Sequence, residues 1–209
     1  MLITALDPDP RGTGGVRVRV DGGPFATVGA RDVAVCGLRA GRELTPAQAR
    51  DLERRAEVFA ARSVALRILG YRALPGREIV RRLARKGHAK PVAESVVAAL
   101  EAEGLVDDAE FARHYARTRA SRKRLGAARL KADLRRLGVD DRLASQAVEE
   151  TLAREGIDSR ELLREAAARK LVGLRGTDAP LRRRRLKVHL MRRGFSSGDI
   201  AEYLRHNPV

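Results

Sequence analysis

Cysteine, aromatic residues and long apolar runs are all scarce in this sequence. Its single cysteine, Cys36, can form no internal disulfide, which fits a reducing compartment. No apolar run approaches the roughly 20 residues that a membrane-spanning helix needs, and residues 1–12 lack the apolar core of a secretion signal. We therefore expect a soluble cytoplasmic protein.

Residues that carry catalytic chemistry are also few. The four histidines show no paired spacing with a cysteine or carboxylate of the kind that binds a metal. The segment Gly12-Thr13-Gly14-Gly15 resembles a phosphate-binding loop only in composition, and we interpret it as a β turn. Seven aromatic residues are too few to favour a base-stacking platform for single-stranded nucleic acid. The sequence predicts neither an enzyme nor a bound cofactor or metal.

A glycine that ends a helix recurs three times along the chain. Each glycine follows a leucine by four residues and is preceded by basic side chains, which suit the negative end of the helix dipole. Glycine adopts the left-handed conformation after a helix without strain, and the next residue can then contact that leucine in a Schellman motif. The predicted pairs are Leu83 with His88, Leu134 with Val139, and Leu190 with Phe195.

The apolar pattern around these glycines repeats as well. Apolar residues lie eight before, four before and ten after each glycine, which indicates one buried face laid down three times. The helices that open the second and third repeats share an Asp followed three residues later by Glu, at Asp107 and Asp158, which predicts capping boxes. The chain is therefore predicted to be a helical repeat protein.

The predicted fold is mainly α, with three tandem three-helix modules in a curved array and a small N-terminal β cap. Residues 2–36 alternate like short strands, including Asp32–Val35, with a turn at Asp21–Pro24. Thr45 and Pro46 open one long helix or two abutting ones. The predicted domains are a β cap (1–44), a linking helix (45–61) and three modules (62–104, 105–156, 157–209). Their helices are predicted at 62–71, 75–86, 91–103, 108–122, 127–137, 141–154, 159–172, 180–193 and 197–205.

Basic residues dominate the charge, giving a formal net charge of +16, most of it in the helical modules. Such a balance favours a polyanionic partner, either nucleic acid or an acidic protein surface assembled on it. A basic run can also be no more than a solvated face, but these runs recur near the middle helix of each module, where stacking would align them. The predicted binding residues are Arg81, Arg82, Arg85, Lys86, Arg122, Lys123, Arg124, Arg129, Lys131, Arg182, Arg183, Arg184, Arg185, Lys187, Arg192 and Arg193.

These segments resemble the RecX family of regulatory proteins, which modulate the RecA recombinase. The resemblance covers nearly the whole chain. Its most specific parts are Asp-Asp-x-x-Phe-Ala at 107–112 and Arg-Arg-Gly-Phe-Ser at 192–196, supported by residues 65–87, 103–113, Gly126, Arg129, Leu130 and Leu134.

The resemblance implies a non-enzymatic protein that lies in the groove of a RecA nucleoprotein filament. Its modules would bridge neighbouring protomers and suppress ATP hydrolysis, strand exchange and filament growth. The expected partners are the RecA filament and single-stranded DNA, with duplex DNA as a further partner, and the expected state is a monomer. The alternative that the residues leave open is a basic helix-turn-helix protein acting on DNA directly, because short glycine turns between helices also describe that motif. An inert helical scaffold is the third interpretation.

Overall fold

An antiparallel three-stranded sheet opens the chain in the computed structural model, which describes residues 1–10, 12 and 14–207. The strands β1 (Ile3–Pro8), β2 (Gly15–Val20) and β3 (Gly23–Gly29) lie in sequence order. Asp21 and Gly22 connect β2 to β3 with φ angles of 50° and 84°, the two left-handed residues that a tight hairpin needs. The predicted hairpin is confirmed. The predicted turn at 12–15 lies partly outside the described residues.

The prediction of a strand over Asp32–Val35 is wrong, because Ala30–Val35 forms the short helix α1. A strand would have placed Val33 and Val35 on the same face. Instead Val33 packs against the sheet core together with Cys36, at helical spacing, while Val35 is 65% exposed. Asp32 also lies in the first turn of α1, where the helix dipole favours an acidic side chain.

A single helix of 26 residues, α2 (Pro46–Tyr71), follows the sheet. Thr45 caps it: its hydroxyl accepts from the Gln48 N–H, and the Gln48 side chain accepts from the Thr45 N–H in return. Leu52 of this helix is buried in the sheet core, whereas Ala61 and Ala65 are buried in the core of the first module. The linking helix and the first helix of the first module are therefore one continuous element.

Eight further helices complete three modules, and the sequence predicts their ends to within one residue. They are α3 (Gly76–Arg85), α4 (Lys90–Ala102), α5 (Asp108–Lys123), α6 (Ala127–Leu137), α7 (Asp141–Arg154), α8 (Ser159–Val172), α9 (Ala179–Arg192) and α10 (Ser197–His206). The mainly α fold with three three-helix modules and a small N-terminal sheet is confirmed. The curvature of the array stays a prediction.

All three predicted Schellman motifs are present. Gly87, Gly138 and Gly194 have φ angles of 92°, 104° and 83°. The residue after each glycine donates its backbone N–H to the carbonyl of the predicted leucine, at 3.2 Å for His88 to Leu83, 3.1 Å for Val139 to Leu134 and 3.3 Å for Phe195 to Leu190.

The predicted capping boxes are only half formed. Asp107 accepts from the Glu110 N–H at 2.8 Å, as predicted, but the Glu110 carboxylate accepts from Arg113 side-chain nitrogens at 3.1 and 3.2 Å. Asp158 accepts from the N–H of Arg160 at 2.9 Å. At Glu110 a nearby arginine therefore takes the carboxylate that the capping box would use, which is a consequence of the basic composition.

The chain divides into two compact units, residues 1–106 and residues 107–209. The first unit contains one core under the sheet and another within the first module. In the second unit the second and third modules share one core, which runs from Ala112 through Leu134 and Leu163 to Leu204. Among the described residues, no helix has the length and apolarity to cross a membrane.

Candidate functional site

The basic residues of α3 converge on one acidic side chain. Arg81, Arg82 and Arg85 approach the Glu78 carboxylate at 3.1, 2.8 and 3.7 Å, and the Glu78 side chain is only 15% exposed. Glu78 lies one turn before Arg82, at the spacing that pairs side chains on a helix. This carboxylate offsets part of the charge of the first predicted cluster. Lys86 follows and is exposed, with no acidic partner among the described residues.

The basic residues of α6 also have acidic partners. Lys131 pairs with Glu149 of α7 at 2.6 Å. Arg129 donates to Asp133 at 3.2 Å, and Asp133, which is 7% exposed, also accepts from Arg136 and from the Tyr115 hydroxyl. Burial, followed by the charge of Asp133, raises the pKa of Tyr115 above its ordinary value. This buried polar cluster orients Arg129 within the fold.

The end of α5 contains both exposed and paired cations. Arg122 and Lys123 are exposed in the last turn of the helix. Arg124 is the left-handed residue that ends α5, with φ 52°, and its guanidinium pairs with Glu165 of α8. Arg124 therefore connects the second and third modules within one unit, while the Arg122 and Lys123 side chains remain available to a partner.

The basic run on α9 contains residues that the rest of the chain binds or partly buries and residues that it leaves exposed. Arg183 donates from Nη1 to the Leu204 carbonyl at 2.9 Å, where it caps the last turn of α10. Arg182 is half-buried, and its Nε has no hydrogen-bond partner among the described residues. Arg184, Arg185 and Lys187 are exposed, and no described carboxylate forms an ion pair with them. Only this second group is free to bind.

Arg193 has a structural role that the sequence does not reveal. Its side chain donates from Nη1 to the Lys123 carbonyl and from Nε to Nε2 of His189, the latter at 3.0 Å. Its own carbonyl accepts the Gly126 N–H at 2.8 Å. These contacts attach the end of α9 to the turn between α5 and α6. Arg192, its neighbour, is exposed.

The structure therefore divides the sixteen predicted binding residues into two sets. Nine have acidic or carbonyl partners or are half-buried. The other seven are exposed cations without an ion-pair partner in the described part of the chain, and we call them the unpaired set: Lys86, Arg122, Lys123, Arg184, Arg185, Lys187 and Arg192. All but Lys86 lie in the second unit. Local i, i+4 spacing could have revealed the partners of Arg82 and Arg129, as well as the His189 partner of Arg193. No local signal marks the carbonyls that accept from Arg183 and Arg193.

No group of three or more histidine, cysteine or acidic side chains comes together as a metal site within the described residues. The candidate surface that the unpaired set offers is made of exposed arginines and lysines on helices and in turns.

Three family models match successive parts of the chain. They describe the first three-helix domain of RecX at residues 61–100, the second at residues 107–148 and the third at residues 158–204. The chain belongs to the RecX family. The three matched segments coincide with the three modules and leave the N-terminal sheet outside the matches.

Named relatives agree with the family models. Regulatory protein RecX of Pelodictyon phaeoclathratiforme is 34% identical over 145 residues, which cover 69% of this chain and 87% of that one. Regulatory protein RecX of Amycolatopsis mediterranei is 35% identical over 138 residues, covering 66% of this chain and 77% of that one. Both names describe regulatory proteins.

Solved RecX structures share the fold. A crystal structure of regulatory protein RecX aligns over 99% of both chains with a TM-score of 0.78 and 21% identity. RecX from Lactobacillus salivarius aligns over 72% of this chain and 96% of that one, with a TM-score of 0.60 and 19% identity. At these identities the likeness supports the fold.

Proposed function

We propose that this protein regulates the RecA recombinase by binding the nucleoprotein filament that RecA forms on single-stranded DNA. In this proposal the modules lie in the filament groove, bridge neighbouring protomers and inhibit ATP hydrolysis, strand exchange and filament growth. The protein acts as a cytoplasmic monomer and needs no cofactor. Duplex DNA is a further partner.

The unpaired set is the observation that supports this proposal within the RecX family. Carboxylates and carbonyls of the chain itself hold most of the other predicted residues, so these seven cations are the ones available to a polyanion. Each phosphate contact on a single strand releases counterions and gives a slope of roughly −0.7 in log affinity against log salt. Binding through several members of the set is therefore expected to weaken steeply as salt rises.

The distribution of acidic residues argues against a helix-turn-helix protein that reads DNA directly. In that motif the helix after the turn presents its side chains to the major groove. Here the helices that follow the first two glycine turns expose carboxylates without an ion-pair partner among the described residues, Glu101 on α4 and Glu150 on α7. These carboxylates would repel DNA phosphates, while the unpaired cations lie on other helices or in turns.

The direct test is RecA's ATPase on single-stranded DNA, with and without this protein. We expect inhibition at less than one copy per RecA protomer, because a capped filament end stops further growth. The variant Arg184→Glu with Arg185→Glu should weaken inhibition by about tenfold or more, since it reverses two unpaired cations. Arg164→Glu with Arg169→Glu, an equal charge change at exposed positions of α8, is the matched control and should inhibit nearly as well as the unmodified protein.

Two outcomes would contradict the proposal. One is that the unmodified protein leaves RecA's ATPase and strand exchange unchanged while it binds duplex DNA tightly by itself. The other is that both double variants lose inhibition equally, because net charge would then explain the effect without a specific surface. Reversing all of residues 182–185 is a poorer test, since Arg183 also caps α10.

A further inference from the structure

One face of α9 combines exposed apolar side chains with unpaired arginines. Six residues project within about 60° of their mean direction at 100° per residue, and we call them the α9 ridge: Leu181, Arg184, Arg185, Val188, Met191 and Arg192. The buried Leu186 and Leu190 lie on the opposite side of the helix, in the core. The ridge is therefore the solvent face of the middle helix in the third module.

The apolar members of the ridge are unusually open to solvent. Leu181, Val188 and Met191 are 39%, 41% and 53% exposed, although each has a large side chain. They follow one another by seven and three residues, which keeps them on the same face of the helix. Three exposed apolar side chains on one face, bordered by polar ones, are typical of a surface that a partner covers.

The charged members of the ridge are all positive and lack acidic partners. Arg184, Arg185 and Arg192 are exposed, and no described carboxylate forms an ion pair with them. This distinguishes α9 from α3 and α6, whose arginines approach Glu78 and Asp133. A covering surface must therefore supply both carboxylates and apolar contacts.

We propose that the α9 ridge docks an acidic, amphipathic protein surface rather than DNA. This assignment rests on the proposed function, within which the surface belongs to the recombinase. A phosphate backbone would pair with the arginines but would leave Val188 and Met191 in water, because it offers no apolar groups at that spacing. An acidic, amphipathic protein face can pair with the arginines and also cover the apolar side chains. Arginine and methionine are enriched at protein interfaces. The ridge also has no aromatic residue on which a base could stack.

In this proposal, other members of the unpaired set contact DNA. Arg122 and Lys123 are adjacent cations in the last turn of α5, and α5 itself carries no exposed large apolar residue. A pair of this kind suits phosphate contacts, which need charge and hydrogen-bond donors only. Protein and DNA contacts are thereby separated onto different helices of the same unit.

The test compares two probes with the full-length chain. One is a RecA filament assembled on a labelled single-stranded oligonucleotide, and the other is the same oligonucleotide alone. The variant Val188→Ser with Met191→Ser removes apolar contact and keeps every charge. We expect it to lose about tenfold in affinity for the filament and to bind the bare oligonucleotide within about twofold of the unmodified protein.

A control variant isolates the ridge from general surface polarity. Val172→Ser changes a valine that is 60% exposed at the end of α8, outside the ridge, and should leave both affinities within about twofold. Circular dichroism and thermal unfolding verify that each variant is folded. Because the substituted side chains are exposed, we expect no loss of helical signal.

The outcomes separate this inference from the proposed function. If the unmodified protein binds the filament and the double serine variant binds it equally well, the ridge assignment falls and the proposed function stands. If affinity for filament and bare oligonucleotide drop in parallel, the ridge contacts DNA and the assignment is again wrong. If the unmodified protein does not bind the filament, the proposed function fails, and the ridge assignment fails with it.

Discussion

Gly194 meets two requirements at one position, and they have different physical origins. Its φ of 83° is a conformation that residues with a side chain rarely adopt. In addition, a Cβ at this position would collide with the backbone N of Arg129 in α6. Gly156, in the turn before α8, has a φ of 59°, but a Cβ there would meet no described atom within 4 Å. Comparing substitutions at the two glycines therefore distinguishes the effect of backbone strain from the effect of close packing.

Replacing these glycines by alanine should give unequal losses of stability. Gly156→Ala is expected to cost about 1–2 kcal/mol, the strain of a left-handed alanine. Gly194→Ala carries the same strain and must also push α6 away, which should add about 1–3 kcal/mol. Urea unfolding of the full chain, followed by helical signal, measures both values within the same unit. Equal losses would mean that α6 can move aside freely.

Contacts between residues that are close in the sequence can be predicted here, whereas contacts between distant residues cannot. The leucine, glycine and following residue at each helix end fix a Schellman motif through contacts within six residues, and the sequence predicts all three motifs. By contrast, Arg193 reaches the Lys123 carbonyl 70 residues away. His189 lies four residues before Arg193, but nothing nearby in the sequence points to the Lys123 carbonyl, because that contact depends on where another module's backbone lies.

At the scale of elements, the arginine that joins the end of α9 to the end of α5 also donates to a histidine one turn earlier in its own helix. The Arg193 Nε–H donates to Nε2 of His189, which can accept only when that nitrogen carries no proton. Burial, followed by the charges of Arg193 and Lys170, lowers the pKa of His189 below its ordinary value of 6.5. The folded state therefore favours the neutral form.

Stability should accordingly decrease as the solution is acidified from neutral pH. Because the folded pKa of His189 is depressed, the unfolded chain binds more protons below about pH 6.5, and the stabilisation present above that pH is lost as pH falls toward the folded pKa. His189→Gln retains an acceptor that does not titrate and should reduce this loss between about pH 7 and pH 5. His114→Gln, at an exposed position on α5, is the control. A pH dependence unchanged in His189→Gln would rule out this role.

Helix positions are easier to predict than the basic surface that the helices carry. Apolar spacing and capping residues mark each helix locally, and only α1 is predicted in the wrong class. The basic runs, however, are predicted as uniform binding patches. Packing distributes them differently, because Arg183 points to the carbonyls of α10 while Arg184 and Arg185, its immediate neighbours, remain in solvent.

On the scale of the whole molecule, the repeat pattern does not reveal how many cores the modules form. Each module has the same apolar spacing, which suggests three equal bundles. In the second unit, however, Leu130 and Leu134 of one module and Leu186 and Leu190 of the next belong to a single buried cluster. The close approach of Gly194 to α6, which makes this possible, is a tertiary contact without a local pattern.

A cavity in the third module should therefore weaken the second. Leu186→Ala removes a fully buried side chain and is expected to cost about 2–5 kcal/mol. Because the core is shared, amide hydrogen exchange should accelerate in α6 as well as in α9. The sheet and α3, whose cores are separate, provide the internal control. Unchanged protection in α6 would indicate that the two modules open independently.

Because α2 is uninterrupted, the direction in which each of its residues faces constrains the packing of the whole first unit. Leu52 must face the sheet while Ala61 and Ala65 face α3 and α4, and all three residues lie in the same helix. Each residue turns a helix by about 100°, so losing or gaining one residue between positions 52 and 61 would rotate one buried face out of its core. The number of residues between these two positions is therefore constrained. An insertion or deletion close to a whole number of turns, such as about seven residues, would keep both buried faces in their cores.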